Sequence, residues 1–326
     1  MKLLIVRLSA LGDIIHTLPL AENARRAGAS VGWLCESRYR DVLEGNPSVD
    51  RIFLADTRGW RSDPVGAATR GGYRHLRSEL AAFAADRTID AQGLWKSAVL
   101  ARLAGAPVVG FAASERREGS SALLCSLSVR PSPEARHVVD RNLALLSAVG
   151  VPILARAPDA RYLLARESPE ADAFLAAQPR PFALYHPGAG RPEKVWGEEN
   201  LARVASRLAE SAGLAPALSW GPGDEERVAR MAARLPDARR IPSLAPHGLA
   251  RVMAAAEIFV GGDTGPLHLA DAVGVRTLAL FGPTDPERNG PYRGASLRYD
   301  ATTSPETVAK RAAEALARPA PGAVPL

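Results

Sequence analysis

The chain has 326 residues, 47% of them hydrophobic and 23% charged, which is ordinary for a globular protein and more than one hydrophobic core usually serves, so two domains are expected. Its two cysteines, Cys35 and Cys125, form neither a metal-binding spacing nor a disulfide framework, and no segment reaches the roughly 18 uncharged apolar residues of a membrane span, which points to a cytoplasmic protein. The formal net charge of +6 suits nucleic acid, an anionic membrane or an anionic substrate, or reflects only an arginine-rich composition. No RNP aromatic motif, recognition helix or zinc module is present, so nucleic acid is not expected as a partner.

In chain order, Leu3–Leu8 reads as a strand and Ser9–Gly12 as a loop. Asp13 to Ala27 reads as a helix kinked at Pro19. Val31–Leu34, Ile52–Leu54, Thr88–Ala91 and Val108–Phe111 read as strands, with helices near Tyr73–Ala85, Lys96–Leu103 and Arg136–Val149. Residues 151–169 are rich in Pro and Arg, with one strand-like run at Tyr162–Leu164, and mark the boundary between domains 1–160 and 161–326. A second series follows: strand Phe182–Tyr185, helix Glu198–Ser211, strand Ala217–Trp220, helices Asp224–Leu235 and Pro246–Ala256, strand Ile258–Val260, helix Leu267–Val273, strand Thr277–Phe281 and helix Pro305–Ala317 before a Pro-rich tail. Alternating strands and helices predict an α/β fold of two doubly wound, Rossmann-like domains facing a central cleft, with ligands at the carboxyl ends of the strands. The last helix is a candidate to pack back on the first domain.

Every conspicuous polar cluster follows a predicted strand. The most informative is Gly261-Gly262-Asp263-Thr264-Gly265-Pro266-Leu267-His268. Its glycines allow a sharp turn, Asp263 or Thr264 fits an N-cap, and Pro266 fits a first helical turn. The helix N-terminus suits a phosphate, although the spacing is neither a P-loop nor a dinucleotide fingerprint. In Arg7-Leu8-Ser9-Ala10-Leu11-Gly12-Asp13-Ile14-Ile15-His16-Thr17-Leu18-Pro19, the Asp13 carboxylate either caps the next helix or takes a proton from an incoming hydroxyl. His16, one turn on, reads as a packing or a catalytic histidine. In His186-Pro187-Gly188-Ala189-Gly190-Arg191-Pro192-Glu193-Lys194, Gly188 and Gly190 permit close backbone approach and Lys194 offers a point charge for phosphate. Asp224-Glu225-Glu226 puts three acids after a strand, where a carboxylate meets ribose hydroxyls or simply complements a helix dipole.

With these motifs, together with Ile89-Asp90-Ala91-Gln92-Gly93-Leu94-Trp95-Lys96-Ser97, the Lys194-x-Trp196 loop and Phe281-Gly282-Pro283-Thr284-Asp285-Pro286, the chain resembles glycosyltransferase family 9 over nearly its whole length. The Ile89–Ser97 segment and the surroundings of Arg117, Glu118 and His137 look like the branch that adds the first heptose. The resemblance implies a GT-B fold and an inverting, metal-independent transfer without cofactor. The donor would be ADP-heptose (ADP-L-glycero-β-D-manno-heptose). The acceptor would be the inner Kdo of Kdo2-lipid A, reached by a peripheral enzyme at the inner leaflet of the cytoplasmic membrane. It implies Asp13 as general base, and Lys194, Thr264 and Gly265 as contacts to the donor diphosphate. Gly188 and Gly190 would line the donor site, Asp263 and His268 would reach toward the heptose, and Glu225 or Glu226 would bind the ribose. Ser9, Gly12, Arg58, Arg61, Lys96, Arg117, His137 and Arg141 would receive the acceptor's carboxylates and phosphates. The glycine-rich loop before Lys194 departs from the Thr-rich loop of relatives, and Arg58-Gly59-Trp60-Arg61 carries fewer basic residues than some. Three other readings fit parts of the pattern: another family 9 heptosyltransferase acting on a later core sugar or other glycan, a nucleotide-sugar epimerase of the same fold, and a basic protein that docks on anionic lipid or nucleic acid.

Overall fold

The computed structural model describes residues 1–319, and the end of the Pro-rich tail, 320–326, lies outside the described residues. The chain divides between Pro158 and Asp159 into two compact units.

The first unit holds a six-stranded sheet of β1 (Lys2–Val6), β2 (Ser30–Glu36), β3 (Arg51–Ala55), β4 (Arg87–Asp90), β5 (Val108–Phe111) and β6 (Leu127–Val129). Its order is β3-β2-β1-β4-β5-β6, with every pair parallel. The second unit holds β7 (Phe182–His186), β8 (Ala215–Leu218), β9 (Arg239–Arg240), β10 (Ile258–Gly262), β11 (Thr277–Phe281) and β12 (Ala295–Arg298). Its order is β12-β11-β10-β7-β8-β9, also all parallel. Numbered within its own unit, each sheet follows the same Rossmann order and changes winding direction between its first and fourth strands. Such switch points open a crevice at the strand carboxyl ends. Here they lie between β1 and β4, and between β7 and β10. Register places Val6 beside Asp90 and Gly261 beside His186, so the segments leaving each pair emerge side by side.

The strands form where the sequence runs apolar. Parallel strands are covered on both faces and need no alternation, and Leu3 to Val6 and Ile258 to Val260 are fully buried. In the first unit Leu4, Val6, Leu34, Phe53, Leu76 and Leu80 share a core. In the second, Tyr185, Leu201, Val204, Leu218, Met231 and Val260 do so. The final helix, Pro305–Leu316, buries Val308, Ala309, Ala312 and Ala315 in that second core.

The α/β expectation holds, with local departures. The segment read as one kinked helix from Asp13 to Ala27 is two helices, Leu11–Ile15 and Leu18–Arg26. Pro19 lies in the first turn of the second, where its missing N–H has no helical partner to lose, so it starts a helix rather than bending one. Arg136–Val149 resolves into an α-helix, Val138–Leu143, and a tighter 3-10 segment, Ala144–Val149. Tyr162–Leu164 is not a strand but part of a 3-10 turn, Arg161–Ala165. Strands β6, β9 and β12 and the helix Pro169–Ala177 were not anticipated.

Candidate functional site

At the switch point of the first sheet, the chain leaves β1 through Arg7 and turns into the short helix Leu11–Ile15. Asp13 sits in its first turn, and its Oδ2 accepts the Ala10 N–H at 3.2 Å. Its Oδ1 lies 2.6 Å from the Arg7 guanidinium. The Arg7 side chain is 9% exposed and the Asp13 side chain 46%, so the carboxylate is open to solvent while its partner is buried. Ser9 is half-buried, with the Gln92 amide 3.5 Å from its hydroxyl, and Gly12 is buried in the turn. His16 is buried, with its ring edge-on to His137 at 5.6 Å. The His137 Nδ1 accepts the Val139 N–H at 3.2 Å and caps the helix Val138–Leu143.

The basic residues of this unit divide by environment. Lys96, on the helix Trp95–Arg102 that follows β4, reaches the Glu36 carboxylate at 2.9 Å. Glu36 ends β2 and is buried. Burial pushes its carboxyl up, but hydrogen bonds from Thr57 and Lys96 and the charges of Lys96 and Arg38 outweigh that and hold it below the usual range. Arg141 pairs with Glu115 at 2.6 Å. Arg58 and Arg61, on the helix Thr57–Ser62, and Arg117 are exposed. Arg116, next to Arg117, is instead fully enclosed against Asp90 at 2.9 Å, a buried ion pair that braces the end of β4.

At the switch point of the second sheet, β10 ends in Gly261-Gly262 and the chain turns through Asp263 into the helix Gly265–Ala272. Thr264 is the N-cap, with its hydroxyl 3.5 Å from the Leu267 N–H, and Pro266 lies in the first turn. Lys194, from the loop after β7, lies 2.6 Å from Asp263 Oδ2. The Thr284 hydroxyl, after β11, donates to the same oxygen at 3.0 Å, and His268 Nε2 lies 3.4 Å from Oδ1. Burial pushes the Asp263 carboxyl up, but hydrogen bonds and charge from His268 and Lys194 prevail and hold it at about 2. Gly262 lets the Lys194 backbone come close, because a Cβ there would stand 3.3 Å from the Lys194 carbonyl and push it away by a few tenths of an ångström. Lys194, Asp263, Thr264, Gly265 and His268, 74 positions apart at the extremes of the sequence, therefore meet beside one helix N-terminus.

Across β7, the Asp224 carboxylate lies against the glycine loop. A Cβ on Gly188 would meet Asp224 Oδ2 at 2.2 Å, so a side chain there would displace the acid. Gly190 faces open space. His186 ends β7, fully enclosed, with Nδ1 3.1 Å from the Ser219 hydroxyl and Nε2 3.8 Å from Asp224. Burial lowers its pKa against the pull of Asp224 and the Ser219 hydrogen bond. Glu225 accepts the Gly223 N–H at 2.9 Å, whereas the Glu226 side chain is 96% exposed. His186, Pro187, Gly188, Lys194, Trp196 and Gly262 line one concavity at this edge. Among the described residues, no three His, Cys, Asp or Glu side chains are grouped to share a metal ion.

Arg7, Glu36 and Thr284 were not singled out from sequence. Arg7 and Thr284 both lie in quoted motifs but drew no role there, whereas Glu36 carries no local signal, because its partners Thr57 and Lys96 come from other parts of the chain.

Residues 73–314 match glycosyltransferase family 9 (heptosyltransferase). The chain belongs to that family. It is 36% identical over 297 residues to lipopolysaccharide heptosyltransferase 1 of Pseudomonas aeruginosa, covering 90% of this chain and 81% of the relative. It is 31% identical over 299 residues to the protein of that name from Escherichia coli, covering 90% and 91%. Among solved structures, the E. coli heptosyltransferase WaaC with ADP superposes with a TM-score of 0.82 at 28% identity, over 97% of this chain and 100% of that one. The same enzyme with ADP-2-deoxy-2-fluoro heptose gives 0.80 over 96% and 99%. The two Rossmann-like units are thus those of a GT-B glycosyltransferase.

Proposed function

We propose that this enzyme transfers heptose from ADP-heptose to the inner Kdo of Kdo2-lipid A, with inversion and without a metal ion. The observation that carries the donor half is the Lys194–Asp263 pair beside the capped N-terminus of the helix Gly265–Ala272, at a topological switch point. Its relatives are named for heptose transfer, and WaaC was solved with ADP and with an ADP-heptose analogue.

In this reading Lys194 and the Thr264–Gly265 amides take up charge on the leaving diphosphate, a preorganised electrostatic role that a metal fills elsewhere. Asp263, fixed by Lys194, Thr284 and His268, orders the donor sugar. Asp224 is assigned the ribose ahead of Glu225 and Glu226, since it is the acid that meets the Gly188 loop. Asp13 removes the proton from the acceptor hydroxyl as that oxygen attacks the anomeric carbon. The new glycosidic bond forms while the bond to ADP breaks. Ser9, Gly12, Lys96, His137 and Arg141, with exposed Arg58, Arg61 and Arg117, receive the anionic acceptor.

The acceptor is a membrane lipid, so the enzyme works from the inner face of the cytoplasmic membrane. Trp95, Val99 and Arg102 follow one another along one helix face at i, i+4 and i+7. Trp95, Val99 and Leu123 are 42%, 40% and 82% exposed, and the Trp95 indole N–H donates to Ser120 at 3.2 Å, which joins the turn carrying Leu123 to the helix. This apolar patch, with basic Arg102 on the same helix, is assigned to an anionic bilayer surface.

Asp13→Asn tests the base. Transfer should fall by at least about 100-fold. ADP affinity, by calorimetry, should stay within twofold. Turnover at the wild-type rate would refute the assignment.

A further inference from the structure

We propose that Arg7 is a positioning residue that holds the Asp13 carboxylate in its reactive orientation; this rests on the reading of Asp13 as the base.

The first unit builds a rigid seat for this guanidinium. The Arg7 backbone N–H donates to Leu34 of β2 at 3.1 Å, and the Arg7 carbonyl accepts the indole N–H of fully buried Trp33 at 3.3 Å. On the opposite side, the guanidinium Nη1 donates to the carbonyl of Ala91, the residue after β4. Ala91 is itself tied to Val6 of β1 at 3.1 Å, and the neighbouring Gln92 accepts the Leu8 N–H at 2.7 Å. Three adjacent strands therefore fix where the guanidinium lies, and its remaining terminal nitrogen points at Asp13 Oδ1.

Burying a guanidinium is costly unless it is paired. Among the described residues, Asp13 is the carboxylate that forms an ion pair with Arg7. The side chain's Nε is also buried with no hydrogen-bond partner. A residue that served only to fill the core would be better apolar. Arginine at this position is explained by what it does to Asp13. Among the described residues, that carboxylate is otherwise held by the Ala10 N–H, on a helix of five residues. With Oδ1 on Arg7 and Oδ2 on Ala10, the plane of the carboxylate is set, and its exposed edge is left for a hydroxyl. The reacting proton goes to Asp13, and Arg7 exchanges none, since a guanidinium does not deprotonate in proteins. A base displaced by about 1 Å loses about 100-fold in rate.

The test is a double-mutant cycle on the full chain with ADP-heptose and Kdo2-lipid A, measuring kcat, both KM values, ADP affinity and thermal unfolding. Arg7→Met should lower kcat about 100-fold with both KM values and ADP affinity within about threefold. Arg7→Lys should recover at least a tenth of the wild-type kcat, because an ammonium reaches the same carboxylate without the planar fork. On an Asp13→Asn background, Arg7→Met should cause no further loss of kcat. If Arg7→Met turns over like the wild type, or lowers kcat equally on the Asp13→Asn background, the proposal is overturned. If Arg7→Met fails to fold, Arg7→Lys decides: a folded Lys variant with kcat at the Asp13→Asn level overturns it too. If Asp13→Asn alone is fully active, the base reading fails and takes this proposal with it. That outcome is distinct from an inactive Asp13→Asn beside a fully active Arg7→Met, which removes Arg7 alone.

Discussion

Asp263→Asn separates binding from chemistry, because its effects on ADP and on turnover are expected to have opposite signs. Asp263 is buried and pairs with Lys194 at 2.6 Å, so without ligand it neutralises the cation that the proposed function assigns to the diphosphate. Removing one negative charge from beside the proposed diphosphate site relieves a repulsion on the order of 1 kcal/mol, the Coulomb value for unit charges roughly 7 Å apart at a dielectric between those of a protein surface and water. ADP should therefore bind about fivefold more tightly. Turnover should fall, because in the proposed function Asp263 orders the donor sugar. Stability should fall as well. A carboxyl whose pKa drops from 3.8 to about 2 on folding contributes about 2 kcal/mol. The folded value is depressed, so this contribution is fully present above pH 3.8 and is lost as the pH falls toward 2. At pH 7 the variant should melt roughly 4–8 °C below the wild type, and the gap should narrow at acid pH. Calorimetry with ADP and thermal unfolding across pH measure both effects. Weaker ADP binding, or a melting gap that widens as the pH falls below 3.8, would refute the electrostatic reasoning.

Lys194→Ala removes the cation itself. It should weaken ADP binding about tenfold and lower kcat by about 100-fold or more, in the range of a lost oxyanion donor; steady-state kinetics with an ADP titration reads both. Asp224→Ala should weaken ADP binding clearly more than Glu225→Ala or Glu226→Ala, and calorimetry on the three variants ranks them. Vesicle flotation should show wild-type enzyme on vesicles with anionic lipid, and a Trp95→Ser/Leu123→Ser double variant should bind at least several-fold less while keeping its ADP affinity. Equal flotation of the two would remove that patch from the membrane reading.

Much of this was legible in the sequence because local chemistry marked it. Ile258-Phe259-Val260 announced a buried strand, and Gly261-Gly262, Thr264 and Pro266 then announced a turn and a capped helix. The cap left open between Asp263 and Thr264 falls to Thr264, which frees the Asp263 carboxylate to face Lys194. What escaped was weakly marked or non-local. Strands β6, β9 and β12 lie at sheet edges, are two to four residues long, and carry LSV, RR and ASLR, each broken by or made of polar residues rather than a long apolar run. The helix Pro169–Ala177 did have a start signal, Ser168 followed by Pro169 and Glu170, hidden in a Pro-rich stretch. The pairing of Arg7 with Asp13 depends on the path of the turn between them, and that of Lys96 with Glu36 on the order β2-β1-β4. Residue spacing along the chain encodes neither. The same non-locality explains why Arg116 is buried while Arg117 is exposed.

The most direct test is to incubate the enzyme with ADP-heptose and Kdo2-lipid A in the presence of EDTA and follow the lipid by mass spectrometry. The account expects a single added heptose at an undiminished rate. An unchanged lipid with ADP still bound would contradict the assigned acceptor, an isomerised sugar from donor alone would mark an epimerase, and product only after added metal would contradict the electrostatic role given to Lys194 and the Thr264 helix end.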